Sequence, residues 1–233
     1  MFPCKVRSWP AAAIVLAALA MVQIPLAQAQ QPIAVSGFNA DVIVDKDVST
    51  RVAHSYDGNA IAWFEAGAVD DEGNPHDDGV PAGQNVTSAT GSGVVYALQP
   101  AAGNNVLRIA RTEDGTLTLN TPATYTSLWV LASSGSGGNM DDVTINYDDG
   151  TSDSLPSSYD ASDWCDNSQR GAITGLGRAS PIGGYGLNFT YVHECSFGIY
   201  ETQLSPDPSK NVVSVTFHNQ HANFTGIWAL SGQ

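Results

Sequence analysis

Tryptophans, carboxylates and histidines are the side chains of this sequence that could do chemistry. A sugar is held by a flat ring on its apolar face, with polar groups around it for the hydroxyls. Beyond residue 29 the tryptophans are Trp63, Trp129, Trp164 and Trp228. Trp129 and Trp228 sit in the apolar runs 128–131 and 227–230, where a core role is expected, and Trp63 is ambiguous. Trp164 stands between Asp163 and Cys165 in an irregular polar stretch, where a loop aromatic can face a ligand. It is the expected ligand platform; packing on a neighbouring disulfide is its competing structural use. Asp163, Arg178, Tyr200 and Glu201 are the expected polar companions, on the condition that the loop folds over the strand carrying Tyr200-Glu201.

Carboxylates offer two chemistries. Calcium takes six to eight hard oxygens from loops that mix carboxylates with carbonyls. The 70–78 loop, with Asp70, Asp71, Asp77 and Asp78, is the better calcium candidate, against the plain alternative of a solvated acidic loop. No EF-hand spacing is present. A glycosidase needs two carboxylates across a cleft, and Asp163 with Glu201 is the pair that a hydrolase would use here. With 23 acidic residues some pair always exists, so the abundance carries no information. A Gly-x-Ser-x-Gly elbow and an HExxH motif are both absent from the sequence. His218-Asn219-Gln220-His221 puts two imidazoles three apart at a strand end followed by a turn, where hydrogen-bonded surface histidines are the expectation.

Charge narrows the partners. The 233 residues carry 9 basic and 23 acidic groups, a formal charge of −14. Nucleic acid is excluded as a partner because phosphate neutralisation needs a basic face. A uronate polymer would want Lys or Arg against its carboxylates, so neutral glycans suit this field better. Residues 1–29 read as a secretory signal peptide: Lys5 and Arg7, an apolar run over 11–21, then Leu26-Ala27-Gln28-Ala29 as a small-x-small cleavage site. Gln23 and Pro25 interrupt the run before it reaches the roughly 20 apolar residues of a spanning helix. Cleavage would leave no membrane span and remove only basic residues, making 30–233 more acidic still. The expected destination is extracellular or periplasmic, where Cys165 and Cys195 oxidise to one disulfide.

The elements that must position these groups are strands. After residue 29 no window holds a 3.6-residue apolar period, whereas short β-rich segments between Gly, Asn, Asp, Ser and Pro recur. Strands are expected near 41–44, 61–65, 94–98, 106–110, 116–120, 127–132, 143–147, 186–192, 197–202, 212–218 and 226–230. Val143-Thr144-Ile145-Asn146-Tyr147 alternates apolar with polar and runs into Asp149-Gly150, a tight-turn pair. Residues 69–92 and 148–180 read as long loops. The whole reads as an all-β sandwich of jelly-roll type, with 30–233 as one domain.

One resemblance follows from the order of these segments. Val94–Leu98, Gly103–Arg108, Gly115–Leu119 and Thr121–Leu128, then the Tyr-Asp-Asp-Gly-Thr hairpin within 143–151, Tyr200-Glu201, Val212–Phe217 and Ile227–Leu230, resemble secreted jelly-roll modules of the galactose-binding-like, carbohydrate-binding-module type. The resemblance covers most of 30–233 and is a pattern of strands and turns. It implies binding of a polysaccharide or cell-surface glycan and a structural calcium ion. A non-catalytic recognition protein is therefore the expectation, with a glycan hydrolase and a structural or adhesive envelope protein as the two alternatives. The sequence leaves the oligomeric state open.

Overall fold

The computed structural model describes residues 30–47, 51, 53–138, 140–166, 171–180 and 188–233; the expected leader at 1–29 lies outside them. Every regular element among the described residues is a strand. Along the chain these are β1 (Gln31–Ile33), β2 (Val35–Ser36), β3 (Ile43–Val44), β4 (Trp63–Phe64), β5 (Ala68–Val69), β6 (Pro75–His76), β7 (Asn85–Thr87), β8 (Val95–Ala97), β9 (Leu107–Ala110), β10 (Asp114–Ala123), β11 (Leu128–Gly135), β12 (Met140–Tyr147), β13 (Ser152–Asp160), β14 (Ile173–Ser180), β15 (Thr190–Leu204), β16 (Val212–His218) and β17 (Phe224–Gly232).

Two antiparallel sheets carry the architecture. The first runs β1-β17-β11-β15-β14 with β9 also on β17, and the second runs β13-β12-β16-β10-β2. From β9 onward the chain changes sheet at every connection except the β12–β13 and β14–β15 hairpins, which is jelly-roll winding. Period-2 alternation explains the packing of the second sheet. Val143 and Ile145 of β12, Val215 and Phe217 of β16, and Leu117 and Leu119 of β10 all point inward. They meet Leu128, Val130, Ile227 and Leu230 of the first sheet in one buried layer. Each such side chain contributes about 1.5–3 kcal/mol on burial. The Asp149-Gly150 pair makes the expected turn between β12 and β13: Gly150 has φ 81°, and its N–H donates to the Tyr147 carbonyl at 3.1 Å.

The first sheet is apolar on both faces. Its outer side carries Leu131, Phe197, Ile199, Trp228 and Ala229, buried beneath Val42, Tyr56, Trp63, Val80 and Tyr96 of the preceding segment. A bulge arranges this on β17. The pairing with β11 steps from Leu131↔Ala229 to Ala132↔Ile227, skipping Trp228, so two consecutive side chains, Trp228 and Ala229, face the same outer layer. Residues 40–106 thus form a third layer of short two-stranded pieces, β3–β4, β5–β6 and β7–β8.

Three sequence expectations change. Residues 69–92 are not strand-free, since β5, β6 and β7 fall in or beside them. Within 148–180 lie two full strands. β13 is an edge strand with mostly polar residues, and β14 is broken in composition by Gly175 and Gly177, so neither shows an apolar alternation. Of the strands expected at 186–192 and 197–202, residues 186 and 187 lie outside the described residues, and 190–192 and 197–202 belong to one strand, β15, continuous through the polar His193-Glu194-Cys195.

Candidate functional site

The disulfide expected from the cysteine count is present: Cys165 and Cys195 are bonded, with Cα atoms 5.8 Å apart. It fastens the 163–166 turn to β15. Asp163 organises that turn, its Oδ1 accepting the Cys165 N–H at 2.9 Å and its Oδ2 the Gly137 N–H at 2.7 Å. Trp164 is 3% exposed. Its ring lies 4.9 Å from Tyr56, 5.1 Å from Trp63 and 5.7 Å from Phe197. The Arg178 guanidinium covers it from 5.1 Å and is ion-paired to Glu194. The structure therefore places Trp164 in the aromatic layer, where no face is left for a sugar.

The expected companions do gather around that layer, as its fastenings. The Tyr200 hydroxyl donates to the Asp166 carbonyl at 2.8 Å. Glu201 accepts the Tyr96 hydroxyl at 3.1 Å and the Thr90 hydroxyl, which ties β15 to the β8 region. Burial, with the Glu201 carboxylate next, raises the Tyr96 phenol pKa, so this contact is a neutral phenol donating to a carboxylate. Asp163 and Glu201 thus engage different partners rather than facing one cleft.

The acidic loop behaves similarly. Asp70 accepts the Asn74 N–H at 2.8 Å, the Glu72 N–H at 3.0 Å and His76 Nε2 at 2.8 Å. The His76 contact, ahead of the Asn74 N–H, pulls Asp70 down to about 2. Asp71 accepts from Thr190, Asp78 from the Tyr191 hydroxyl at 2.5 Å and from His193, and Asp77 is exposed. The oxygens diverge to separate protein donors. Among the described residues no group of three His, Cys, Asp or Glu side chains could hold a metal ion. Asp70, Asp71, Asp77 and Asp78 do not fit calcium in this arrangement.

The outer face of the second sheet is built differently. The polar half of each alternating strand faces outward and stays partly or fully exposed: Asp142, Thr144 and Asn146 on β12, Ser214, Thr216 and His218 on β16, Asp114, Thr116 and Thr118 on β10. Register aligns them in rows across the sheet. Asp114, His218 and Asp142 form one row, and Thr116, Thr216, Thr144 and Ser154 the next. Neighbouring strands lie about 4.8 Å apart and successive outward residues about 6.8 Å apart. At the His218 end this face deepens into a cleft of about 530 Å³, lined by Thr112, Asp114, Asp142, Thr144, Ser154, His218, Asn219 and Gln220.

Hydrogen bonds fix its lining. His218 Nδ1 lies 2.7 Å from Asp114 Oδ1, and His218 Nε2 lies 3.0 Å from Thr144 Oγ1. A carboxylate only accepts, so Nδ1 donates to Asp114, while Nε2 and the Thr144 hydroxyl share the second hydrogen bond. Asp142 accepts Gln220 Nε2 at 2.9 Å and the Ser157 N–H at 2.7 Å. The Ser157 bond, the larger influence, holds Asp142 below the usual carboxylate range. One residue away, buried Asp141 accepts His221 Nδ1 at 2.6 Å and the Gln220 N–H at 3.2 Å, and burial raises its pKa. Two left-handed backbones serve this region. Thr112 on the cleft has φ 65°, and Ser157 has φ 47°, which aims its N–H at Asp142. Such a conformation costs a non-glycine residue of order 1–3 kcal/mol and clusters at functional sites.

Asp114, His218 and Thr144 form an acid–imidazole–hydroxyl chain, the order of groups used in acyl transfer. That chemistry also needs N–H donors for an oxyanion. Thr144 and His218 sit on strands paired on both sides, whose N–H groups are used in the ladders. The Asn219 amide donates to the Ile109 and Ala222 carbonyls, and Gln220 to Asp142. What the cleft offers is a fixed set of acceptors and hydroxyls. Sequence reasoning noticed His218 and His221 but missed Asp114, Thr144 and Ser154. The signal available was the polar half of the alternating segments 143–147 and 212–218, read as the side opposite the core. No family model matches the chain and no curated protein is detectably similar to it.

Proposed function

We propose that this is an exported, non-catalytic carbohydrate-recognition protein whose binding site is the cleft on the outer face of the second sheet. The observation that carries the reading is the lining itself: a cavity of about 530 Å³ walled by hydroxyls, two amides, an imidazole and two carboxylates, with no Lys or Arg among the lining residues. Sugar hydroxyls both donate and accept, and such a wall meets them with both capacities. A glycan bearing acidic groups is disfavoured by Asp114, Asp142 and the overall acidity. Export rests on the leader-like residues 1–29 and is supported by the Cys165–Cys195 disulfide, which persists in oxidising compartments.

The test is retention on insoluble polysaccharides and a glycan array, run with calcium and with a chelator, with reducing-end release assayed in the same wells. Retention without release is expected. Thr144→Val and His218→Ala should each weaken it about tenfold, the scale of one lost hydrogen bond of about 1.4 kcal/mol, with the melting temperature held within a few degrees. Trp164→Ala should instead lower stability. Release of sugar ends would replace this reading with the hydrolase. Neither retention nor release would replace it with a structural or adhesive envelope role.

A further inference from the structure

The carboxylates around the cleft are unevenly partnered. His218 faces Asp114 at 2.7 Å and His221 faces Asp141 at 2.6 Å, so each of these acids has an imidazole against it. Asp142 stands between the two pairs on β12 with only neutral direct partners, the Gln220 amide and the Ser157 N–H. His218 and His221 act on it only through space. Among the described residues Asp142 is thus an ionised carboxylate on the cleft wall whose direct partners are both neutral donors. Thr144, one outward position along the strand, and Ser154, its partner on the neighbouring strand, present hydroxyls on the same face.

Resting on the reading of the cleft as a glycan site, we propose that its preferred ligand is an amino sugar with a free ammonium group, the ammonium placed on Asp142 and adjacent hydroxyls on Thr144 and Ser154. A ligand ammonium supplies a cation to Asp142 and donates up to three hydrogen bonds to an acceptor that a neutral hydroxyl would engage with one. An N-acetylated or unsubstituted ring keeps the hydroxyl contacts and forfeits this one.

The experiment is calorimetric titration of the full protein at pH 6 and low salt with three tetramers of one β-1,4 backbone: glucosamine, N-acetylglucosamine and glucose. The glucosamine tetramer should bind at least tenfold more tightly than the other two. The advantage should shrink at 0.5 M salt and vanish at pH 9, above an amine pKa of about 8. Asp142→Asn should bring the ratio close to one, whereas Asp77→Asn, an exposed acid remote in sequence and outside the cleft, should leave the ratio in place. Equal affinity for all three tetramers overturns the amino-sugar preference and leaves the glycan site standing. A preference that falls as much with Asp77→Asn as with Asp142→Asn assigns it to the bulk charge of the protein and also overturns it. Binding of none of the three, nor of any other glycan, removes both.

Discussion

On the outer side of the first sheet, Leu131, Phe197, Ile199, Trp228 and Ala229 lie under residues 40–106; on the outer side of the second, Asp142, Thr144, Ser214, Thr216 and His218 meet solvent. Both sheets share the same inner layer, so what separates them is the chemistry of the other face. A face of aromatics and aliphatics has to be covered, and the cover buries Trp63, Trp164 and Trp228 with it. A face of short polar side chains needs no cover and keeps its hydrogen-bonding groups available. In this protein Trp63, Trp164 and Trp228 mark where the third layer docks, and the proposed recognition surface lies on the face without tryptophan.

The comparison is broken most severely by emptying the covered face. Trp63→Ala removes a fully buried ring from the aromatic layer and should cost about 3–5 kcal/mol in chemical denaturation. Hydrogen exchange sharpens it. The Trp63 N–H, bonded to the Val42 carbonyl, should be deprotected far more than the amides of Val143 and Ile145 in the second sheet. Equal deprotection of both would mean that the layers unfold as one unit and that the cover is no separate structure.

Replacing both cysteines by serine should cost about 3–4 kcal/mol, the loop-entropy scale for the 30-residue separation. The same denaturation curves read it, and the loss should again fall on the covered side, where Cys165 and Cys195 pack. A destabilisation below about 1 kcal/mol would show that the 163–166 turn is held by Asp163 alone.

Acidity distinguishes the faces next. In the cover, burial raises Asp41 to about 6 from 3.8 despite its hydrogen bond from Asn105. A carboxyl whose folded pKa is raised binds its proton more tightly when folded, so stability falls as pH rises from about 4 to 6. Asp70, depressed to about 2 from 3.8, has the opposite sign: its contribution is present above 3.8 and is lost as pH falls towards 2. The melting temperature should therefore peak near pH 4. Asp41→Asn should flatten the upper limb and raise stability at pH 7 by about 1–2 kcal/mol. A melting temperature that rises steadily from pH 4 to 7 would contradict this account. The smallest effect belongs to the open face, where Thr116→Val, which removes the 2.9 Å contact with Thr216, should change stability by less than about 0.5 kcal/mol.

The same contrast explains what could be read in advance. Segments whose two faces differ, such as 143–147 and 212–218, declare both strand and orientation, and the sandwich followed from them. Trp164 sits in a polar stretch, Asp-Trp-Cys-Asp, with no local period to show that its ring turns inward; its burial depends on Tyr56 and Trp63, a hundred residues away. β13 was hidden because an edge strand facing water on both sides of Leu155 carries little apolar pattern, and β14 because glycine replaces the expected side chains where Tyr191 and Asp78 approach Gly177. The cleft was hidden for another reason. Its residues come from β10, β12, β13 and β16, and only register brings Asp114, His218 and Asp142 into one row.

The pairing of β1 with the end of β17, Gln31 beside Gly232 and Ile33 beside Leu230, bears on how the protein would respond to force. A load applied between residues 30 and 233 pulls two antiparallel strands apart from the same end, so their hydrogen bonds come under tension one after another rather than all together. Only three residue pairs resist before β1 peels away. Tension between these two points would therefore be met first by a short zipper at one margin of the sandwich, leaving the row of groups on the opposite sheet undisturbed until that margin had opened.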